Sequence, residues 1–201
     1  MNSIDKLTEL FRKFPGIGPR QAQRFVHFLL SRNAEYTNEL VRTLENLKRE
    51  ISQCSDCQKF FPARDSSEAL CSICSDDTRD NTLLLVVHSD IDLESIEKSG
   101  SYKGKYFVLG GVLPILEKEP ERRIRVKALD DLLGRNKDIK EIILAMNANA
   151  DGENTSDFIK ERYKGSPVTF SILGRGLSTG AEIEYADPET LKFALKNRTE
   201  K

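Results

Sequence analysis

Two cysteine pairs, Cys54-x-x-Cys57 and Cys71-x-x-Cys74, stand either side of a short loop. This spacing lets four sulfurs surround one Zn²⁺ tetrahedrally. The segment from Gln53 to Asp80 is polar and shows neither helical nor strand periodicity. It has too few apolar residues to fold by burial, whereas metal binding can supply folding free energy directly. Four cysteine ligands (Cys54, Cys57, Cys71 and Cys74) leave no open coordination position, so the expected cofactor is one structural zinc ion per chain, not a catalytic one. The alternative is two unrelated reduced pairs, or a redox switch.

A second group with chemical potential is Phe14-Pro-Gly-Ile-Gly-Pro-Arg20. Gly16 and Gly18 have no side chains, so a phosphate can approach backbone N–H groups where a helix begins and its dipole favours an anion. Arg20 and Arg24 lie one turn apart and would flank that phosphate. Such contacts recognise the DNA backbone and not its sequence, which predicts salt-sensitive, sequence-independent binding. The competing reading is a tight helix–helix turn and nothing more. The formal net charge is −1, so any DNA site must be a local basic patch. Lys6, Arg12, Lys13, Arg20, Arg24 and Arg32, opposed before Ala34 only by Asp5 and Glu9, supply a candidate, with a solvated helix face as the equal alternative.

The third group is His88, Ser89, Asp90 and Asp92, together with Asn147, Asn149, Asp151 and Glu153. Asn147 to Gly152 imitates the opening of a calcium loop, but Phe158 stands where the bidentate Glu would be. Both stretches are better placed at the carboxyl ends of parallel strands, where open α/β sheets put their sites. Amides and an imidazole occupy several positions that Mg²⁺ chemistry would give to carboxylates. His88 reads as a hydrogen-bonded structural residue, and His27 sits among apolar helix residues without a catalytic partner. Gly110-Gly111 and Gly174-Arg-Gly176 lack the Gly-Lys-Ser/Thr of a P-loop and read as turns.

The elements that hold these groups are legible from periodicity. Leu7, Leu10, Phe11 and Phe14, then Ala22, Phe25, Val26 and Leu29, give helix, hairpin, helix. Leu40, Val41, Leu44, Leu47 and Ile51 give a third amphipathic stripe. Leu83–Val87 reads as a strand buried on both faces. Tyr106–Leu109, Ile139–Met146 and Pro167–Leu173 read as further strands, alternating with helices near Asp92–Lys98, Arg125–Leu133 and Thr155–Tyr163. That alternation implies a mostly parallel sheet with crossover helices. Glu182–Pro188 reads as a short strand and turn before a last helix around Thr190–Lys196.

With 201 residues of ordinary mixed composition, the chain excludes disordered and fibrous classes. Its start, Met-Asn-Ser-Ile-Asp-Lys-Leu, runs straight into an amphipathic pattern and forms neither a signal peptide nor a membrane span. A cytoplasmic protein is expected, and in a reducing compartment paired thiols favour metal over disulfides.

In order, the hairpin Phe14-Pro-Gly-Ile-Gly-Pro-Arg-Gln-Ala-Gln-Arg24, the two cysteine pairs, Tyr106-Phe-Val-Leu-Gly-Gly-Val-Leu113 and Gly176-Leu…Gly180…Glu184-Tyr-Ala-Asp187 resemble the bacterial RecR family across essentially the whole chain. The resemblance implies an α+β multi-module fold. Its parts are a helix-hairpin-helix with connecting helix at 1–53, a four-cysteine zinc finger at 54–80, an α/β Toprim domain at 81–173 and a subunit-contact segment at 174–201. It further implies a DNA-binding recombination mediator in DNA repair, without established catalysis. Such a protein forms a homotetrameric clamp that works with RecO, and in some organisms RecF, to load RecA onto single-stranded DNA at gaps. Matched by position, Gly16, Gly18, Arg20 and Arg24 take the DNA-contacting role and the four cysteines the zinc. His88 and Asp151 depart from the family, which typically carries Glu at both positions.

Two other classes compete. One is a Mg²⁺-dependent Toprim nuclease or topoisomerase-like enzyme using Asp90, Asp151 and Glu153. The other is a zinc-stabilised interaction module in which the hairpin only packs between subunits.

Overall fold

The computed structural model describes residues 1–63, 65 and 68–198. They fall into two compact units, one of Met1–Ser52 and one from Gln53 onward.

The first unit is helical. Helix α1 (Ser3–Phe11) starts in a capping box: Asn2 accepts the Asp5 N–H, and the Asp5 carboxylate accepts the N–H of Asn2. Helix α2 (Pro19–Leu30) begins with proline at its first position, where the missing N–H costs nothing. Phe11 packs edge-on against Phe25 at 5.6 Å and against Phe14 at 5.7 Å, and Ala22 and Val26 of α2 are buried. Helix α3 (Ala34–Glu50) is capped by Asn33 and buries no residue fully. Val41, Leu44 and Leu47 on its apolar stripe are 49%, 58% and 55% exposed. Of the stripe read from the sequence, these three positions are left uncovered, Leu40 is partly buried, and Ile51 lies beyond the end of the helix.

The second unit opens at Gln53, the last residue of β1 (Ile51–Gln53), which pairs with β2 (Phe60–Pro62) in a ribbon that carries the first cysteine pair in its turn. Then come β3 (Asp80–Val87), α4 (Asp90–Ser99), β4 (Gly104–Val108), α5 (Pro120–Arg123), α6 (Val126–Arg135), β5 (Glu141–Ala145), α7 (Ala150–Arg162), β6 (Thr169–Ile172), a 3₁₀ turn at Ile183–Tyr185 and α8 (Pro188–Lys196). The last three residues of the expected C-terminal segment, 199–201, lie outside the described residues, as do 64, 66 and 67 of the cysteine segment.

The four main strands make an all-parallel sheet in the order β4-β3-β5-β6. Val87 pairs with both Val108 and Ala145, so β3, β4 and β5 end level. Period two sends Leu84 and Val86 to one face and Leu85 and Val87 to the other. The first face packs against α6 and α7 through Val126, Leu129, Leu132 and Ile159. On the second face Leu85, Val87, Tyr106 and Val108 share one core with Leu93 of α4 and with Cys54, Cys57, Phe61, Cys71 and Ile73. The cysteine segment thus covers part of the sheet. Each apolar side chain it fully buries there contributes roughly 1.5–3 kcal/mol.

Two expectations change. The helix expected at Thr155–Tyr163 begins at Ala150, because Asn149 accepts the Gly152 N–H at 2.8 Å and caps it. The strand expected at Glu182–Pro188 is a 3₁₀ turn. Among the described residues no sheet edge pairs with it, so its N–H groups find local acceptors, Tyr185 to Glu182 and Ala186 to Ile183, both at 3.2 Å.

Candidate metal centre and nucleic-acid interface

The four cysteine sulfurs all lie within 4.8 Å of one another, and none is in a disulfide. Cys57 and Cys71 approach at 3.5 Å, near the roughly 3.8 Å that a tetrahedron of 2.3 Å Zn–S bonds requires. The first knuckle is shaped by Gln58, which has φ +62 in the left-handed region. Its side-chain amide donates to the carbonyls of Cys54 (3.3 Å) and Ser55 (3.2 Å), offsetting the backbone strain. In the second knuckle Cys74 N–H donates to Cys71 O at 3.0 Å, and Cys71 N–H reaches Cys54 Sγ at 3.4 Å. Four sulfurs this close cannot all be anionic without a cation. Hydrogen bonds from Cys57, Cys71 and Cys74 hold Cys54 well below the usual thiol range, and the bond with Cys54 pushes Cys57 and Cys74 up. A divalent ion removes that conflict, so this cluster is a metal site.

Among the described residues no other group of His, Cys, Asp or Glu converges in this way. The level strand ends bring His88 beside the segment after β5, as expected, but three of the four acidic side chains there, those of Asp90, Asp92 and Glu153, are already engaged. Asp90 accepts the Phe60 N–H at 2.8 Å. Asp92 forms a capping box with Ser89 and lies 2.5 Å from His88 Nδ1. Glu153 pairs with Arg175 at 2.7 Å. Asp151 sits in the first turn of α7. Asp90, Asp151 and Glu153 do not form a common cation site.

At the hairpin, Gly16 has φ +73, and a Cβ at Gly16 or Gly18 would meet nothing within 4 Å. Gly18 is the N-cap of α2 and offers no side-chain cap to its first turn. The first N–H groups of α2 therefore face outward without a side-chain acceptor, beside a positive dipole end. Arg20 and Arg24 are exposed on the same helix, and among the described residues neither is in a salt bridge. His27 is exposed in the last turn of α2.

Sequence reasoning missed the residues that hold the knuckles to the sheet: Lys105, Arg125, Asp90 acting on Phe60, and Val108, whose N–H donates to Cys57 O at 2.8 Å. These contacts join positions such as Gln58 and Arg125 that are 67 residues apart, and no local spacing encodes them.

A helical hairpin with an open helix start, a four-cysteine metal site and an all-parallel α/β sheet are the parts of a multi-module protein built on a Toprim domain. Family models match the RecR helix-hairpin-helix at residues 4–48, the Toprim domain at 82–174 and the RecR C-terminal region at 176–199. The chain is 37% identical to recombination protein RecR of Legionella pneumophila over 198 residues, covering 98% of this chain and 96% of that one. It is 39% identical to recombination protein RecR of Streptococcus mutans over 197 residues, again 98% and 96% of the two chains. The chain belongs to the RecR family of recombination proteins.

Proposed function

We propose that the protein is a recombination mediator in DNA repair that holds DNA through its phosphate backbone and performs no chemistry of its own. The observation that carries this reading is the start of α2, left without a side-chain cap at Gly18 and flanked by the exposed Arg20 and Arg24. Gly16 and Gly18 admit the phosphate, the free N–H groups bind it, and the two guanidiniums neutralise its neighbours. The metal is zinc, held by Cys54, Cys57, Cys71 and Cys74, and its role is to fold the segment that covers the sheet. When bound it supplies charge neutralisation and crosslinking of the two knuckles.

The absence of catalysis is supported by two of the three carboxylates a Mg²⁺ site would use, Asp90 and Glu153, being spent on Phe60 and Arg175. The division at 1–53, 54–80, 81–173 and 174–201 describes the working parts. The uncovered stripe of α3 supports assembly with further copies into a ring. RecO, and RecF where present, are the partners through which such a clamp helps load RecA at gaps. Among the described residues no helix is long and apolar enough to cross a membrane, and four free cysteines favour a cytoplasmic setting.

The test is fluorescence anisotropy of labelled single-stranded, duplex and gapped DNA across a salt series, with the wild type and the Arg20→Ala/Arg24→Ala variant. The reading requires weaker binding and a shallower salt slope in the folded variant. Equal binding and slope in both proteins would move the DNA site elsewhere.

A further inference from the structure

We propose that Lys105 and Arg125 are positioning residues for the metal centre, each clamping one cysteine knuckle and together compensating the excess charge of the thiolates. The inference rests on the zinc reading above. A zinc ion with four thiolates carries two net negative charges, and the two side chains supply two positive ones.

Lys105 lies on β4, half-buried, and its Nζ reaches the carbonyls of Asp76 (2.9 Å), Cys74 (3.0 Å) and Ile73 (3.4 Å). An ammonium has three donors, and here all three go to the turn of the second knuckle. The Lys105 carbonyl is itself held by the Tyr102 hydroxyl at 3.1 Å, which fixes the strand from which the ammonium projects. Arg125, at the start of α6, donates from Nη1 to Gln58 O at 3.1 Å, just after Cys57, and to Val108 O at 3.2 Å. Its guanidinium lies over the Phe60 ring, 5.4 Å from the centroid. It occupies space that only a glycine leaves open, since a Cβ on Gly110 would come within 2.9 Å of it. The cations therefore fix the knuckle backbones and lower the cost of gathering four anionic sulfurs in a buried site.

The experiment loads the full chain with zinc and measures its release to EDTA in the presence of a zinc-sensitive dye. Far-UV circular dichroism checks the fold, and thiol labelling is read residue by residue. Lys105→Met and Arg125→Met should release zinc about 10–100-fold faster than wild type, the range expected for losing an outer-shell partner. Lys105→Arg should stay close to wild type. Labelling should begin at Cys71 and Cys74 in Lys105→Met, and at Cys54 and Cys57 in Arg125→Met. Wild-type release rates in the folded methionine variants overturn the proposal, and a Lys105→Arg variant as fast as Lys105→Met overturns its charge component. If Lys105→Met does not fold, Arg125→Met decides by the same criterion. A wild-type protein that takes up no stoichiometric zinc instead overturns the zinc reading itself.

Discussion

The carboxylate of Asp90, the third residue after β3, accepts the backbone N–H of Phe60 at 2.8 Å. A side chain at the carboxyl end of the parallel sheet is here the acceptor that fixes β2 against the strand ends. Losing a charged acceptor for a backbone N–H costs about 1.5–3 kcal/mol, with the lower end fitting this half-exposed pair. Asp90→Ala should therefore lower the unfolding free energy by about 1–2 kcal/mol in urea titrations, and Asp90→Asn should recover much of it. An unchanged Asp90→Ala protein would show that the bond is not formed in solution.

Metal removal should not melt the cysteine segment alone. Cys54, Cys57, Cys71, Phe61 and Ile73 share a core with Leu85, Val87, Tyr106 and Val108. Cys71→Ser, or chelation of the wild type, should lower the melting temperature of the whole second unit by several degrees or more. It should also expose dye-binding apolar surface on the sheet. A sheet that melts as before, with only the finger lost, would contradict the shared core.

Gln58 supplies a sharper local test. Its left-handed backbone costs a non-glycine residue about 1–2 kcal/mol, and its amide offsets this through Cys54 O and Ser55 O. Gln58→Ala keeps the strain and loses the bonds, whereas Gln58→Gly loses both. The alanine variant should be less stable than the glycine variant by about 1 kcal/mol in equilibrium unfolding.

Asp130 links stability to pH. The hydrogen bonds from Arg162 (2.9 and 2.5 Å), together with that from Tyr163, hold its carboxyl below the usual range. Because the folded value is the lower one, the stabilisation is full above the ordinary carboxyl range near pH 4 and is lost as pH falls through the depressed value. The pair is about a third exposed, so Asp130→Asn should cost only about 1 kcal/mol at pH 7. The difference between wild type and variant should shrink in unfolding curves taken towards pH 3. A constant difference would assign the effect to shape and not to charge.

The cysteine spacing was legible because a tetrahedral site draws its ligands from two short local motifs, and the sulfurs do converge. The strands were legible from Leu83–Val87 and its neighbours, since a parallel strand buried on both faces must be apolar throughout. Arg20 and Arg24 could be placed on one exposed helix from the Pro19 start and the helical period. The start of α7 was not, because Asn147 to Glu153 has the composition of a loop, and only the folded chain shows Asn149 capping a helix that starts at Ala150. Nor were the clamps on the knuckles: Lys105 and Arg125 look like surface cations until the sheet brings them to carbonyls far away in sequence. The strand expected at Glu182 failed because alternation in sequence does not supply a neighbour to pair with.

Zinc modules are often pictured as cassettes that can be cut out, grafted or shuffled between proteins. Here Cys57 O is bonded to the end of β4 and Phe61 and Ile73 are buried with the sheet residues, so excision would strip one side of the Toprim layer and transplantation would leave the module without its floor. The segment and the sheet can be exchanged only together, and substitutions at Tyr106 or Val108 will be tolerated only if the finger changes with them.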